Sequence, residues 1–333
     1  MGKHHSPPDQ TAIQRRGLLR LAGLVALSAL PGLGLAQNFP NRPVRMIVPF
    51  PPGGGFDAIA RPVADRMGAM LGQPIVVDNR AGAGGNIGID AAARAEPDGY
   101  TFLFGNEVLA TNPHIYRHIP YDPFKDLIPI VMVGTTPLIL AASPQLPAKN
   151  LQELIALSAK RPLNFGSPGN GTAPHLFGEL LNLRTPLKLS HVAYRGTGPA
   201  ITDAMGGQID LVLSTASSIA PQIKAGKLRG MAVLSKQRTA LLPELPTLEE
   251  GGIAGLTHDV WYAMFAPAAI PAAPLARLKA SALQALKDPK LVAQLREAGY
   301  DVTPQDGKDV TARMRADFER WQKVVAEAHI EKA

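Results

Sequence analysis

Two glycine-rich turns, far apart in the sequence and alike in chemistry, constrain the fold of this chain most. The first follows the apolar segment 44–50, runs through residues 51–55 and leads into a helix that begins near Asp57. The second runs through residues 194–199 and precedes the helical segment 200–205. Small or absent side chains leave backbone N–H groups open at the start of each helix, where they can bind an anion. Two such turns facing one another would form a site for a carboxylate.

Short apolar segments alternate with helical segments along the chain, which predicts parallel sheets connected by helices and therefore an α/β fold. The predicted strands span residues 44–50, 74–78, 100–105, 130–134, 137–142, 163–167, 190–194, 209–214, 228–234 and 260–266. Three further helices are predicted after the last strand, over 274–286, 289–299 and 310–328. Ligands of such sheets bind at the carboxyl ends of the strands, where the glycine-rich turns lie.

The length of 333 residues predicts two lobes, because one hydrophobic core rarely organises so long a chain. We place the first crossing between the lobes near Pro137 and the return near Val260. Lobe 1 then consists of residues 37–137 and 260–333, and lobe 2 of residues 138–259. Each lobe is expected to hold a mainly parallel sheet flanked by helices. The ligand cleft lies between the lobes in this arrangement, and hinge closure is its natural motion.

Residues 1–36 have the pattern of a signal peptide. Arginines at positions 15, 16 and 20 precede the uncharged apolar run 21–30, and small residues before Gln37 suit cleavage at that point. The run is too short to span a bilayer comfortably, so we expect an exported protein that does not span the membrane after cleavage. Both the twin-arginine route and the general secretory route fit this sequence.

Charge and cysteine content exclude several classes of function. The net charge of +7 is mild, and no run of lysine and arginine or interleaved aromatic stripe indicates a nucleic-acid partner. Hydrophobic residues make up 46% of the chain and charged residues 18%, as in globular proteins with sizeable cores. The absence of cysteine excludes disulfides, thiolate catalysis and cysteine-ligated metals.

Three motifs that could indicate an enzyme or a metal site each lack a feature that such a site requires. The third glycine of segment 82–88 is one position late for a dinucleotide-binding fingerprint, although Glu107 stands where a ribose-binding acid is sought. Segment 166–169 lacks the glycine that a nucleophile elbow has two positions before its serine. His114 and His118 have the spacing of metal ligands, but prolines bracket them and no third ligand is evident, so we expect surface histidines. We therefore expect no catalytic residue, no metal and no cofactor.

A series of motifs in a fixed order covers essentially the whole chain from Phe39 onward. They are Met46-Ile47-Val48-Pro49-Phe50 with Pro52-Gly53-Gly54-Gly55 and Asp57, Val77-Asp78-Asn79-Arg80 with Gly82-Ala83-Gly84-Gly85 and Gly88, Pro97-Asp98-Gly99-Tyr100, Tyr194-Arg195-Gly196 with Pro199-Ala200, and Gly206-Gly207-Gln208-Ile209-Asp210-Leu211. In this order they resemble the Bug proteins, the periplasmic solute receptors of tripartite tricarboxylate transporters. The resemblance implies a two-lobed type II periplasmic binding-protein fold and a periplasmic location. It also implies a small carboxylate ligand, held largely by backbone amides and bridging water, and delivery to membrane permease subunits.

Carried over to this chain, the ligand loops of the family fall on residues 53–57, 167–172 and 195–198. A side chain at Gly54 or Gly196 is expected to block the approach of a ligand to the backbone and to resist a positive φ. The predicted ligand-binding residues are Gly53, Gly54, Gly55, Phe56, Asp57, Asn86, Asn106, Ser167, Thr172, Arg195, Gly196, Thr197 and Gly198.

Several of these residues have a second interpretation. The carboxylate of Asp57 would repel an anion, so we expect this residue to be the helix N-cap that supports the loop. Ser167 and Thr172 could donate to a ligand oxygen or only cap a helix. Arg195 could bind a carboxylate or point to solvent while the glycine amides bind. Pro62 departs from the expected pattern, because it removes a helical donor after the first turn and could kink the helix.

The leading hypothesis is a non-enzymatic, monomeric receptor that closes over a small carboxylate and is then recognised by a permease. The alternatives are an exported enzyme with a nucleotide cofactor and a ligand receptor for a membrane signalling sensor. Trp261 and Tyr262, in the return strand, are expected to pack in the core rather than line the cleft. The sequence does not identify the carboxylate.

Overall fold

The computed structural model describes residues 1–3 and 39–333, so the predicted signal peptide and its cleavage site lie almost entirely outside the described residues. The strands are β1 Val44–Val48, β2 Ile75–Asn79, β3 Thr101–Asn106, β4 Leu127–Ala142, β5 Leu163–Ser167, β6 Leu189–Ala193, β7 Leu211–Thr215, β8 Arg229–Val233, β9 Asp259–Pro267 and β10 Asp301–Asp306. The α-helices are α1 Gly55–Leu71, α2 Asn86–Ala93, α3 Val108–Ile115, α4 Leu151–Ser158, α5 Ala173–Arg184, α6 Thr197–Gly206, α7 Ala216–Lys224, α8 Ala272–Ala285, α9 Pro289–Glu297 and α10 Gly307–Glu327. None of these helices is long and apolar enough to cross a membrane.

Two sheets share the long strand β4. The first has the strand order β2-β1-β3-β9-β4-β10 and the second the order β6-β5-β7-β4-β8. Strand β4 pairs with β9 up to Pro137 and with β7 from Leu138 onward. The predicted α/β fold is confirmed, but the sheets are mixed rather than mainly parallel. Each has a parallel group of three strands, and the strands next to β4 run antiparallel to it.

Each sheet carries its own hydrophobic core, as the apolar strand segments predict. The core of the first sheet includes Ile47, Leu103, Trp261, Phe265 and Met314. The core of the second sheet includes Ile139, Val212, Ile219, Leu228 and Val233. Residues from both ends of the described chain thus build the first core, whereas the second core comes from one continuous stretch.

The return passage between the sheets, just before β9, is held by helix α10. Arg320 donates to the carbonyl oxygen of Thr257 at 3.3 Å, and Arg313 donates to that of Asp259 at 2.9 Å. Between them, the buried ring of His258 packs against both α5 and α10. These contacts fix the backbone of the return passage to a helix that packs on the first sheet.

The structure differs from the predicted elements in three ways, each with a physical reason. Strand β4 is continuous although two strands were expected, because its prolines lie where the strand changes partners or bulges. Helix α3 was not predicted, since it is buried on nearly all sides and therefore has no amphipathic period. Helix α7 is short and contains Pro221, which counts against a helix, and β10 is polar and mostly exposed, so it lacks the alternation of a strand.

Helix α1 continues through Pro62 from Gly55 to Leu71. Its buried face includes Ile59, Val63 and Met67, which recur every four residues as in an amphipathic helix. Burial of this face keeps the helix as one element despite the hydrogen bond that proline removes. The N-terminus of the helix therefore stays at the end of β1.

Candidate functional site

The first glycine-rich turn is held in place by the side chain of Asp57. Its Oδ2 accepts from the backbone N–H of Gly53 at 2.7 Å and from Arg61 at 3.0 Å, and its Oδ1 accepts from Asn79 at 3.0 Å. The N-cap is Gly54 and not Asp57 as expected, since Asp57 lies within the first turn of the helix and reaches back to the loop. Burial opposes ionisation of Asp57, but the hydrogen bonds from Asn79, Gly53 and Arg61 outweigh it and lower its pKa.

The backbone N–H groups of Gly54, Gly55 and Phe56 have no acceptor within the described part of the chain. They stand at the N-terminus of the 17-residue helix α1, where the helix dipole is positive. The amide of Gly53 is not available in the same way, because Asp57 binds it. Three of the predicted backbone donors are therefore free to bind an anion, and the fourth holds the turn.

The second glycine-rich turn caps helix α6. Gly196 is its N-cap at a φ of +110°, and its N–H donates to the carbonyl of Pro168 at 2.9 Å. The N–H groups of Thr197 and Gly198 have no acceptor among the described residues, so they remain free at the helix N-terminus. The side chain of Arg195 is exposed and forms no hydrogen bond or ion pair there, which corresponds to the solvent-facing alternative.

A third strand-to-helix turn, which the sequence analysis missed, meets the first one. Thr215 is the N-cap of helix α7, and its Oγ1 lies 3.0 Å from both Ser217 Oγ and Ser218 Oγ. A Cβ atom on Gly55 would lie 3.5 Å from each of these serine hydroxyls and 3.1 Å from Tyr300 Oη. Hydroxyls from the second sheet thus stand beside the free amides from the first. The strand followed by Thr-Ala-Ser-Ser is the signal that could have identified this turn.

Hydrogen bonds within the loop after β5 and to a histidine of the neighbouring strand hold this loop. Ser167 is fully buried, and its Oγ lies 2.7 Å from His191 Nε2 and bonds to Gly169 in the same loop. The hydroxyl of Thr172 donates to the carbonyl of Gly169 at 2.7 Å, although Thr172 occupies the N-cap of α5. Ser167 was expected either to donate to a ligand or to cap a helix, and in the structure its hydroxyl bonds to His191 and within its own loop. The Ser167 hydroxyl stabilises the loop through Gly169, and His191 on the adjacent strand β6 holds it in this orientation.

An aromatic cluster forms the floor beneath the first turn. The Tyr262 ring lies 5.1 Å from that of Phe56 and 5.5 Å from that of Tyr300, measured between centroids. Trp261 is fully buried and Tyr262 is 3% exposed, so core packing holds for both rings. The Tyr262 hydroxyl has no protein partner, yet it is not among the fully buried unpaired polar atoms of the described residues. Its oxygen therefore keeps a small solvent-accessible area.

The polar residues at the ends of β2 and β3 are largely buried. Asn106 ends β3, and its Oδ1 accepts from the backbone N–H of Val108 at 3.2 Å. Asn86 begins α2 and is 5% exposed. Glu107 is 2% exposed, burial raises its pKa well above its usual range, and its carboxylate accepts from the backbone of Trp261. Glu107 is thus enclosed in the core and does not stand in the open position of a ribose-binding acid.

The histidines at 114 and 118 differ from each other in environment. His118 is exposed as expected, but His114 is buried on α3, with its Nε2 3.0 Å from the carbonyl of Phe318. The expectation of a surface position is wrong for His114, because the unpredicted helix α3 packs against α10. No group of three or more acidic residues or histidines among the described residues could hold a metal ion.

We expect the protein to lose stability between pH 7 and pH 5 because of His175 and His191. Their rings stack at 3.9 Å, and burial lowers the pKa of His175 to about 3 and that of His191 to about 4. An unfolded histidine titrates near pH 6.5, so the unfolded state binds more protons below that pH. The stabilisation is complete above about pH 6.5 and declines as the pH falls toward these lowered values. Each ring is expected to contribute a loss of about 1–2 kcal/mol by pH 5.

Urea denaturation at pH 7 and pH 5 measures this effect. His191→Gln should reduce the pH dependence, and His118→Gln, at an exposed position, is the control that should leave it unchanged. Glu179 lies 4.0 Å from His175 and is itself partly buried, so its charge only partly offsets protonation of the ring. An equal pH dependence in the unmutated protein and in His191→Gln would contradict the assignment.

Comparison with known proteins places the chain in a family. The family model described as "Tripartite tricarboxylate transporter family receptor" matches residues 59–330. The protein BugT of Bordetella pertussis is 35% identical over 315 residues, which cover 93% of this chain and 97% of BugT. A protein of Pseudomonas sp. strain P51 is 35% identical over 323 residues, covering 96% of each chain.

Solved structures give the same result at the level of the fold. The periplasmic binding protein BugD is 34% identical, with a TM-score of 0.81, and the match covers 89% of this chain and all of BugD. An R. palustris protein solved with adipate is 31% identical, with a TM-score of 0.83 and coverage of 89% and 100%. MatC of Rhodopseudomonas palustris, solved with bound malate, is 29% identical, with a TM-score of 0.77 and coverage of 86% and 100%. The fold is that of a two-lobed periplasmic binding protein, and the chain belongs to the tripartite tricarboxylate transporter receptor family, of which the Bug proteins are members.

Proposed function

We propose that this receptor binds a small mono- or dicarboxylate between two lobes and presents it to membrane permease subunits. The observation that carries the proposal is the set of free N–H groups on Gly54, Gly55 and Phe56 at the N-terminus of α1. They stand beside the hydroxyls of Ser217 and Ser218 from the other sheet. Uncharged donors at a positive helix end bind a carboxylate without the need for a paired arginine.

The chemical class of the ligand follows from the donors and from the relatives. The first turn supplies free backbone donors at the positive end of a helix, which suits an anion with short oxygen-bearing groups. Related proteins have been solved with adipate and with malate, which differ in length and in substitution. We therefore expect a small carboxylate of this kind, with the body of the molecule against the aromatic floor of Phe56 and Tyr262.

The lobes are proposed to be residues 37–137 with 260–333, and residues 138–259. Strand β4 changes its pairing partner between Pro137 and Leu138, and the return passage lies just before β9. Closure then rotates one sheet against the other about these two passages. The predicted signal peptide and the membership in this family support a periplasmic location and a permease as the partner. We propose that the receptor acts as a monomer.

Binding is proposed to occur without turnover. The serine in the loop after β5 is buried and bonded to its own loop, so it is not placed as a nucleophile toward the cleft. The carboxyl group of Glu107 is enclosed beside Trp261 and does not face a reacting atom. These positions support the function of a receptor rather than that of an enzyme.

Small-angle scattering combined with NMR of the ligand tests this proposal. We expect a smaller radius of gyration at a saturating concentration of malate or adipate, because closure around the ligand compacts a two-lobed molecule. The NMR spectrum of the acid should show no new species after prolonged incubation with the protein. New product signals would contradict binding without turnover. An unchanged scattering profile with the acid bound would contradict closure of the lobes around the ligand.

A further inference from the structure

Asn86, the first residue of α2, has a carboxamide whose oxygen is fully used inside the protein. Its Oδ1 accepts from Asn112 Nδ2 at 2.8 Å and from the hydroxyl of Tyr121 at 2.6 Å. Burial raises the pKa of Tyr121 well above its usual range, so its hydroxyl keeps its proton and donates. Two donors thus occupy the two acceptor positions of one amide oxygen.

A backbone carbonyl identifies which atom of each asparagine side chain is the oxygen and which is the nitrogen. Asn112 Nδ2 also lies 3.1 Å from the carbonyl oxygen of Gly84. A backbone carbonyl only accepts, so the atom of Asn112 that faces it must be the nitrogen. The atom of Asn86 that faces this nitrogen must then be its oxygen. The hydrogen bonds from Asn112 to Gly84 and to Asn86 therefore direct the NH2 group of Asn86 away from Asn112 and Tyr121.

The NH2 group of Asn86 is left without a hydrogen-bond partner among the described residues. Asn86 is 5% exposed, and its nitrogen is not among the fully buried unpaired polar atoms of the described residues. The small exposed part of this side chain therefore includes Nδ2. Because both acceptor positions of the oxygen are used, the group that Asn86 offers outward can only donate.

This donor lies where helices of the first sheet meet a loop of the second sheet. Ile115 follows Asn112 by three residues on α3, which places both on the same helix face. A Cβ atom on Gly171, in the loop after β5, would lie 2.7 Å from Ile115 Cγ1. The cluster of Asn86 and Asn112 is thus next to the interface between the sheets. The N-terminus of α2 at Asn86 also favours negative charge.

We propose that Asn86 is a specificity-determining residue of the carboxylate site, and that Asn112 and Tyr121 are positioning residues that hold it as a donor. In this arrangement, the NH2 group of Asn86 donates to an ionised carboxylate oxygen, binds the neutral carbonyl oxygen of an amide more weakly, and disfavours an ammonium group, which only donates. The inference rests on the proposed function, because it names a contact in the same site. It adds a side-chain contact that distinguishes a diacid from its monoamide.

Asn86→Asp is the decisive variant, because it changes only the outward group. An aspartate oxygen still accepts from Asn112 and Tyr121, while the outward NH2 group becomes a negatively charged oxygen. Calorimetric titration compares adipate with adipamic acid, its monoamide, in the unmutated protein and in the variant. We expect the unmutated protein to favour adipate. The variant should bind adipate about 10-fold or more weakly and reverse the preference, since a hydrogen bond to a charged group is replaced by repulsion.

Two further variants separate positioning from general effects of charge and folding. Gln294→Glu, on the exposed face of α9, makes the same change in net charge and should leave both affinities unchanged. Tyr121→Phe keeps the ring but removes one donor to the Asn86 oxygen, so the amide is held less firmly. Its ratio of adipate to adipamic acid affinity should fall, while its thermal unfolding still shows a folded protein.

The outcomes distinguish this inference from the proposed function. If the unmutated protein binds adipate and Asn86→Asp binds it equally well, Asn86 is not a ligand contact and the inference is overturned alone. If Asn86→Asp fails to fold, the affinity ratio of Tyr121→Phe decides, and an unchanged ratio overturns the inference. If the unmutated protein binds neither adipate nor malate nor any other small carboxylate, the proposed function is overturned and the inference with it.

Discussion

Gly55→Val should abolish carboxylate binding while the protein still folds. Gly55 is the first residue of α1, and a Cβ atom there would lie 3.1 Å from Tyr300 Oη and 3.5 Å from the hydroxyls of Ser217 and Ser218. A valine side chain would therefore push Tyr300, Ser217 and Ser218 away from the turn that carries the free amides. Loss of two charge-assisted hydrogen bonds corresponds to about 100-fold or more in affinity. Calorimetric titration of the folded variant measures the loss.

Gly196→Val tests the second turn in the same way, with a matched control. Gly196 has a φ of +110° and open space around it, so a β-branched side chain strains the backbone there without a clash. Gly226 has a φ of +67° and equally open space, but it lies beyond the C-terminal end of α7. Gly226→Val should lose stability and keep its affinity, whereas Gly196→Val should lose both. If Gly55→Val and Gly196→Val both bind the carboxylate with full affinity, the two glycine-rich turns do not form the ligand site.

The structure changes the expectation for a side chain at Gly54, which the sequence analysis expected to resist a positive φ. Gly54 has a φ of −90°, which any residue adopts, and the nearest atom to an added Cβ is the Pro51 carbonyl oxygen at 3.9 Å. Strain therefore gives no reason for glycine at this position. The residue with positive φ in the first turn is Gly53, at +80°, and its amide is the one that Asp57 holds.

Trp261→Ala should lower the free energy of unfolding by about 3–5 kcal/mol, as for large buried aromatic residues. Trp261 is fully buried in the first core, and its Nε1 donates to Asp317 at 2.7 Å. Burial raises the pKa of Asp317, whereas the hydrogen bond from Trp261 acts in the opposite direction and stabilises the ionised carboxylate. Alanine would leave a cavity and remove the donor from a buried acceptor, so both costs add. Urea denaturation gives the change in free energy.

Trp261→Phe separates the two costs, because it keeps most of the ring and loses the N–H. Its destabilisation should be about 1–3 kcal/mol, the cost of leaving a buried partner unpaired, together with a small loss of volume. Ligand affinity should change little in this variant, since Trp261 is fully buried in the first core, whereas the adjacent Tyr262 is the residue that belongs to the aromatic floor. Destabilisation below about 1 kcal/mol in Trp261→Ala would contradict the role of Trp261 as a packed and hydrogen-bonded residue of the first core.

The sequence was sufficient to predict the fold class because strands and helices are marked by local patterns. The apolar segments of β1, β5 and β9 and the amphipathic face of α1 are examples. Helix α3 could not be found in this way, because burial on nearly all sides removes its period. The continuity of β4 was equally hidden, since it depends on strands far away in sequence that pair with its two halves.

The candidate site was predictable where glycine marks a turn and not where a hydroxyl depends on a distant partner. Gly55 and Gly196 lie at helix N-termini, as their sequence context indicates. Ser167 could not be judged from its loop alone, because His191 on the neighbouring strand binds its hydroxyl. Ser217 and Ser218 were missed because their relation to Gly55 arises only when the two sheets come together.

The central claim is that a small carboxylate binds reversibly to the free amides at the N-terminus of α1. Calorimetric titration of malate, adipate and related acids into the chain from Gln37 onward tests it most directly, with Gly55→Val as the matched control. We predict saturable binding of one acid per chain to the unmutated protein and no measurable heat of binding to the variant. Absence of binding to every acid, or equal binding to both proteins, would contradict the claim.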